Sequence, residues 1–262
     1  MKNNKYSDKI AIILISGYLL IPLILTFLYS IFNEWTHILP SGMTFHYYQE
    51  ILQDSLFLQS LLRSLIIAII PVLICSLIMI MVFYVILFSW PALDKYIEIL
   101  CTIPYSLQGI ILAIGIISLY GDLPGLLSDR VVLLVGTYCI IVLPYIYRGI
   151  KNSLQSLHTH TLIDAATMLG ATKSKTFLQI ILPELLPGIA VSMIISMAMI
   201  FADFVIVNII AGGYYQTSSI YLYKMMAKSG QLTSAIIVIL FMTTLVMSLI
   251  ITAIRKKMEA VK

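Results

Sequence analysis

The chain has 262 residues, 60% of them hydrophobic and only 11% charged, with a net charge of +4. A soluble domain carries about 25% charged residues, so the composition excludes a soluble globular protein and describes an integral membrane one. Nothing interleaves basic and aromatic residues as nucleic-acid binding would, and Cys75, Cys101 and Cys139 are scattered through apolar runs without the CxxC or Cys/His spacing of a zinc site or a disulfide framework.

Crossing a bilayer takes about 20 apolar residues. Six runs qualify: 10–31, 64–88, 97–119, 131–147, 188–211 and 234–254. The first follows Lys2, Lys5 and Lys9 as a signal peptide would, but it is too long for a signal h-region and lacks a small-x-small cleavage site, so it reads as a retained helix. Pro22, Pro71, Pro104 and Pro144 fall inside runs, which membrane helices tolerate when neighbours re-satisfy the freed carbonyl. No internal repeat supports an inverted-repeat secondary transporter.

Orientation follows from the positive-inside rule. With the N-terminus inside, the inner segments hold Lys2, Lys5, Lys9, Lys95, Arg148, Lys151, Lys173, Lys175, Arg255, Lys256, Lys257 and Lys262, and the outer ones only Arg63, Arg130, Lys224 and Lys228. This bias of 12 to 4 puts both termini in the cytoplasm. Arg255, Lys256 and Lys257 read as a topological stop and headgroup anchor. The first outer loop, residues 32–63, contains FHYYQEILQDSLFLQSLLR, an interfacial amphipathic helix that Tyr47, Tyr48 and Phe57 would anchor.

The most informative stretch is 161–187, TLIDAATMLGATKSKTFLQIILPELLP. It reads as two short helices on the cytoplasmic side. Thr161 and Asp164 have capping-box spacing for the first. Ala165 and Ala166 leave a smooth surface for another protein, and Gly170 ends the helix by taking φ > 0. Thr172 caps the second helix, which is expected to stop at Pro183. His158 and His160, two apart, do not share a helical face and read as solvated rather than metal-binding. Within the fifth run, Asp203 is either an acid on a solute path, with Asn208 beside it, or a structural acid paired with Lys224 or a partner helix. No Walker A sequence and no catalytic set of nucleophile, base and orienting acid is present, so the chain reads as a non-enzymatic subunit.

Asp164, Ala165, Ala166, Gly170, Ile180, Leu182 and Pro183 reproduce, with every spacing kept, the "EAA" signature of permease subunits in bacterial ATP-binding-cassette importers. That signature runs Glu-Ala-Ala, three residues, Gly, nine residues, Ile-x-Leu-Pro. Asp164 stands where the family has Glu, which keeps the charge and shortens the reach. In related permeases an Asn-Ser/Thr-Leu opens the second membrane helix, whereas here Arg63-Ser64-Leu65 stands there. ADFVIVNIIAGG at 202–213 and the segment after it are similar to the spermidine/putrescine branch, with related wording in phosphonate and ferric-iron permeases. The resemblance covers roughly residues 60–254.

It implies an all-α, type I importer permease of six transmembrane helices, one permease domain over residues 1–262, with a cytoplasmic coupling loop at 150–187. It implies a place in the bacterial cytoplasmic (inner) membrane. The chain itself would need no cofactor, because ATP is bound by a cytoplasmic ATPase dimer. The other partners implied are a second permease subunit, a paralogue in the polyamine branch, and an extracytoplasmic solute-binding protein. Asp164, Ala165, Ala166, Gly170, Ile180, Leu182 and Pro183 would couple to the ATPase, and Asp203 and Asn208 would lie on the path of a small cation. The rival class is an ATP-independent secondary transporter, which would leave the 164–183 pattern unexplained.

Overall fold

The computed structural model describes residues 5–35, 41–107, 109–157 and 159–260. The chain is mostly helical. Helix α1 is Lys5–Ser30. It leads to a short antiparallel ribbon of β1, Phe32–Glu34, and β2, Ser41–Met43, with Phe32 opposite Met43. The elements that follow are α2 (His46–Gln53), α3 (Ser55–Phe88), α4 (Leu93–Ser106), α5 (Gly109–Tyr120) and α6 (Arg130–Ser156). The remainder is α7 (Thr159–Met168), α8 (Lys173–Thr176), a π turn at Phe177–Ile181, α9 (Leu182–Ala202), α10 (Val205–Ile210), α11 (Ser218–Met225) and α12 (Gly230–Ala260). Among the described residues five helices are long and apolar enough to cross a membrane, or six if α4 and α5 form one span.

The helices extend or break the expected runs, and the second, third and fifth do so for identifiable reasons. The second begins nine residues early, because Asp54 caps α3 by accepting the Leu56 N–H at 2.8 Å. Phe57 is fully buried against Tyr221, ring centroids 5.3 Å apart, so it is a core residue and not an interfacial anchor. Tyr47 and Tyr48 instead bond back to the chain, to the Asn33 carbonyl at 2.9 Å and the Ser30 hydroxyl at 2.5 Å. The third run is bent by 95° between α4 and α5. Pro104 lacks the N–H that would continue the α4 ladder, and Leu107 is already extended at φ −90°, ψ 130°. The fifth starts earlier, at Leu182, and breaks at Asp203 and Phe204 before α10 resumes.

The chain divides into two compact units, Met1–Gln59 with Tyr221–Thr243, and Ser60–Ile220 with Thr244–Lys262. In the first, the Tyr221 hydroxyl donates to Asp54 at 2.5 Å, which ties the start of α3 to α11. The second is organised on the crossing of α6 and α9. A Cβ on Gly149 would run into the Ser192 hydroxyl and lie 3.2 Å from the Gly188 carbonyl oxygen. A Cβ on Gly188 would in turn meet the Ser153 hydroxyl and lie 3.0 Å from the Gly149 carbonyl oxygen. Each helix thus contributes a Gly-x-x-x-Ser, and each serine hydroxyl donates to its own glycine's carbonyl at 3.0 Å. Small residues at four-residue spacing let two membrane helices approach backbone to backbone. Helix α3 packs along α6 with the Cys75 thiol donating to the Cys139 carbonyl at 3.2 Å and Phe83 stacked on Tyr147 at 5.5 Å.

Candidate functional site

The 159–187 segment joins α6 to α9, and its sequence sets its shape. Helix α7 begins at Thr159, a buried residue whose hydroxyl donates to the Leu154 carbonyl at 3.2 Å. Thr161 therefore lies inside the helix and is not its cap, so the expected capping box with Asp164 does not form. The helix starts three residues ahead of where a Thr161 cap would begin it, because Thr159 anchors the turn. Asp164 and Ala165 face solvent, whereas Ala166 is only 4% exposed. Consecutive helical residues point about 100° apart, so the alanines do not form one smooth face. Ala165 continues the exposed surface and Ala166 packs inward.

Gly170 ends α7 as its sequence position requires. Its φ is +77°, its N–H bonds the Thr167 carbonyl at 2.9 Å, and the Ala171 N–H reaches back to Ala166 at 3.0 Å. That pair of bonds is a Schellman closure with glycine at the left-handed position. No atom lies within 4 Å of where a Cβ would stand, so the demand for glycine is conformational and not steric. The closure leaves Met168 and Leu169 projecting, 91% and 88% exposed. The sequence reading missed these two. Their signal is two large apolar residues immediately before a capping glycine and off the inward stripe of Leu162, Ile163 and Ala166.

Thr172 caps α8, its hydroxyl accepting the Lys175 N–H at 3.4 Å. The helical path does not stop at Pro183. The π turn sends the Leu182 N–H to the Phe177 carbonyl, five residues back, which places Pro183 in the first turn of α9, where a missing N–H is harmless. Ile180, Leu182 and Pro183 are half-buried along this stretch. The same turn is docked on the end of α3. Lys173 Nζ donates to the Phe88 carbonyl at 2.9 Å, the Tyr84 and Ser174 hydroxyls lie 3.2 Å apart, and Phe177 meets Tyr84 edge-on at 5.2 Å. Nearby, Lys151 bonds Glu98 at 2.6 Å and the Tyr147 hydroxyl at 2.9 Å, and pairs with Asp94 at 3.2 Å, joining α4 to α6. A cavity of about 480 Å³ opens beside it, lined by Phe83, Asp94, Lys151, Leu157 and Thr161 among others.

Asp203 lies at the other end of α9, whose 21 residues rise about 30 Å. It is half-buried at the break between helices rather than inside a continuous span. Its carboxylate accepts the Ile206 N–H at 3.1 Å and so caps α10, while its carbonyl accepts from the Ser219 hydroxyl at 2.8 Å. Asn208 is exposed on α10. Close by, the Ser64 and Ser218 hydroxyls are 2.8 Å apart in a buried pair, and the Arg63 guanidinium stands 5.4 Å over the Tyr215 ring. His158 and the side chain of His160 fall outside the described residues. Among the described residues no three His, Cys, Asp or Glu side chains are grouped to hold a metal.

Three solved structures resemble the chain over most of its length. One is a bacterial ABC transporter involved in the import of the acidic polysaccharide alginate, with a TM-score of 0.60 at 16% identity, covering 97% of this chain and 99% of that one. Another is the inward-facing MetNI methionine ABC transporter, TM-score 0.58 at 18% identity, covering 79% and 99%. A third is an amino acid ABC transporter crystallised with histidines, TM-score 0.54 at 16% identity, covering 82% and 100%. At these identities the likeness is one of fold. No match was found among curated protein sequences. The family model described as binding-protein-dependent transport system inner membrane component matches residues 57–260, and the chain belongs to that family.

Proposed function

We propose that this protein is the permease subunit of a type I ATP-binding-cassette importer in a bacterial cytoplasmic membrane. It crosses that membrane six times with both termini inside, and it is driven through the 161–187 loop by a separate cytoplasmic ATPase dimer. A second permease subunit, a paralogue, and an extracytoplasmic solute-binding protein complete the assembly. The observation that carries this reading is the loop itself. A helix closed at Gly170 presents Met168 and Leu169 almost fully exposed, next to exposed Asp164 and Ala165, in a segment with the spacing of the importer signature. Two large apolar side chains held out of the fold have a use when a partner covers them. Lysines on the same side of the six runs put that partner in the cytoplasm.

On this reading Asp164, Ala165, Ala166 and Gly170 shape the docked helix, and Ile180, Leu182 and Pro183 transmit its position to α9. Asp164 has no capping duty to compete with a bond to the ATPase. The test is recovery of the assembled complex from membranes. Met168→Asp with Leu169→Asp should express and insert normally but lose the co-purifying ATPase. Retention of the ATPase by that variant would sink the docking assignment, and uptake indifferent to ATP depletion would favour a secondary transporter.

The solute is proposed to be a small organic cation of the polyamine type, on the sequence similarity at 202–213 and the acid at Asp203. Asp203→Asn is a discriminating variant because asparagine caps helices as well as aspartate does, so α10 keeps its cap and only the charge is lost. Labelled spermidine uptake should fall in this variant with assembly intact. Saturable aminophosphonate uptake with no response to spermidine would replace the polyamine by a phosphonate.

A further inference from the structure

We propose that Lys173 is a positioning residue that makes the end of α3 move with the loop, so that the loop delivers its displacement to α3 as well as to α9. The inference rests on the coupling reading above. Covalent continuity already joins the loop to α9 through the π turn and Pro183. Nothing covalent joins it to α3, whose last residue, Phe88, precedes Lys173 by 85 positions.

The junction is nevertheless specific in three ways. Lys173 Nζ donates to the Phe88 carbonyl at 2.9 Å. The last carbonyls of a helix have no partner within it, and a cation there also meets the negative end of the helix dipole. Pro91, three residues on, has no N–H to return to the Phe88 carbonyl, and Lys173 supplies a donor to it from the loop. The Tyr84 hydroxyl one turn earlier lies 3.2 Å from Ser174. Phe177, itself buried, fills the space between, edge-on to Tyr84 at 5.2 Å and to Phe88 at 6.3 Å. A charged cap, a hydroxyl pair and an aromatic wedge from three neighbouring loop residues fix both the distance and the rotation of the α3 end. A lysine chosen only for membrane topology would need none of these contacts.

The test uses the whole complex in lipid nanodiscs, with spin labels on exposed positions. One pair, Trp90 and Lys175, spans the junction. A reference pair, Lys175 and Leu126, joins the loop to the segment before α6. Cys75 and Cys101 are buried and Cys139 is half-buried, so complex without introduced cysteines supplies the labelling background. Distances are read without nucleotide and with nucleotide trapped by vanadate. In the wild type and in Lys173→Arg, which keeps the donor, trapping should shift the reference distance and leave the junction distance unchanged. In Lys173→Met with Tyr84→Phe, the reference distance should still shift and the ATPase still co-purify, while the junction distance now shifts on trapping. A purely structural cap would alter both nucleotide states alike. A junction distance that moves with trapping in the wild type, or stays fixed in the double variant, overturns the proposal. A reference distance that never responds to nucleotide overturns the coupling reading itself, and the proposal with it.

Discussion

Gly170 and Asp54 show how much a single residue decides here. At φ +77° an L side chain is strained by about 1–2 kcal/mol, yet nothing crowds a Cβ at this site. Gly170→Ala and Gly170→Val should therefore both insert and fold, with the Schellman closure loosened and more so for the β-branched residue. Uptake should fall in the order wild type, Ala, Val, with levels of membrane protein unchanged; equal uptake by all three would separate the loop's shape from its action. Asp54 lies outside the apolar runs, and the hydroxyl of Tyr221 donating to it holds its carboxyl below the usual carboxylate value of 3.8, with help from the Leu56 N–H. A folded-state pKa lowered in this way contributes stability above the ordinary carboxylate range, and the contribution is lost as pH falls through the folded value. Tyr221→Phe keeps the ring against Phe57 and removes the donor. It should melt below the wild type at pH 7, and the gap should close as the pH drops below about 4. A gap of constant size down to pH 2 would show that packing, not the carboxylate, accounts for the difference.

At the scale of elements, the α6 and α9 crossing is where substitution is most costly. The glycines are demanded by contact and not by backbone angle, since neither has positive φ. Overpacking a tight contact costs about 1–3 kcal/mol, so Gly149→Ala should lower the thermal midpoint in detergent. The first atom its Cβ would meet is the Ser192 hydroxyl, and the next is the Ser192 Cβ at 2.8 Å. Ser192→Ala removes the first and leaves the second, so the double variant should recover part of the loss. Strict additivity of the two changes would contradict the close approach. The sequence carried Gly149-x-x-x-Ser153 and Gly188-x-x-x-Ser192 in plain view. What it could not supply was that the two face each other, because such spacing also occurs where helices meet only lipid.

For the whole molecule, the lysine and arginine distribution forecasts which ends share a compartment. A reporter active only in the cytoplasm, fused after Lys262, should be active, and activity of an export-dependent reporter at that point would reverse the orientation. The bend of 95° between α4 and α5 bears on the same question. The apolar run at 97–119 can be one broken span or a re-entrant pair, and a cysteine at Leu126, which is 80% exposed, distinguishes them. Labelling of that cysteine by a membrane-impermeant maleimide from outside the cell supports a complete crossing, and protection there with labelling from inside indicates re-entry.

The sequence by itself determined the membrane class, the predominance of apolar helix and the glycine that closes the first helix of the 161–187 segment. These are properties of composition and of local backbone preference. They are encoded within a few residues of where they act. Only the tertiary structure decided that Phe57 is core, that Ala166 turns inward, that Asp203 caps a helix, and that Lys173 reaches the carbonyl of Phe88. The partners in the last case are 85 residues apart, and apolar residues in a membrane chain face lipid and core alike, so hydrophobicity alone cannot tell a contact from an exposed face. Pro183 shows the same limit at short range. A proline removes one rung of the hydrogen-bond ladder in a helix interior, but one extra residue in the preceding turn moves Pro183 to a helix start, and that residue is visible only once the backbone is placed.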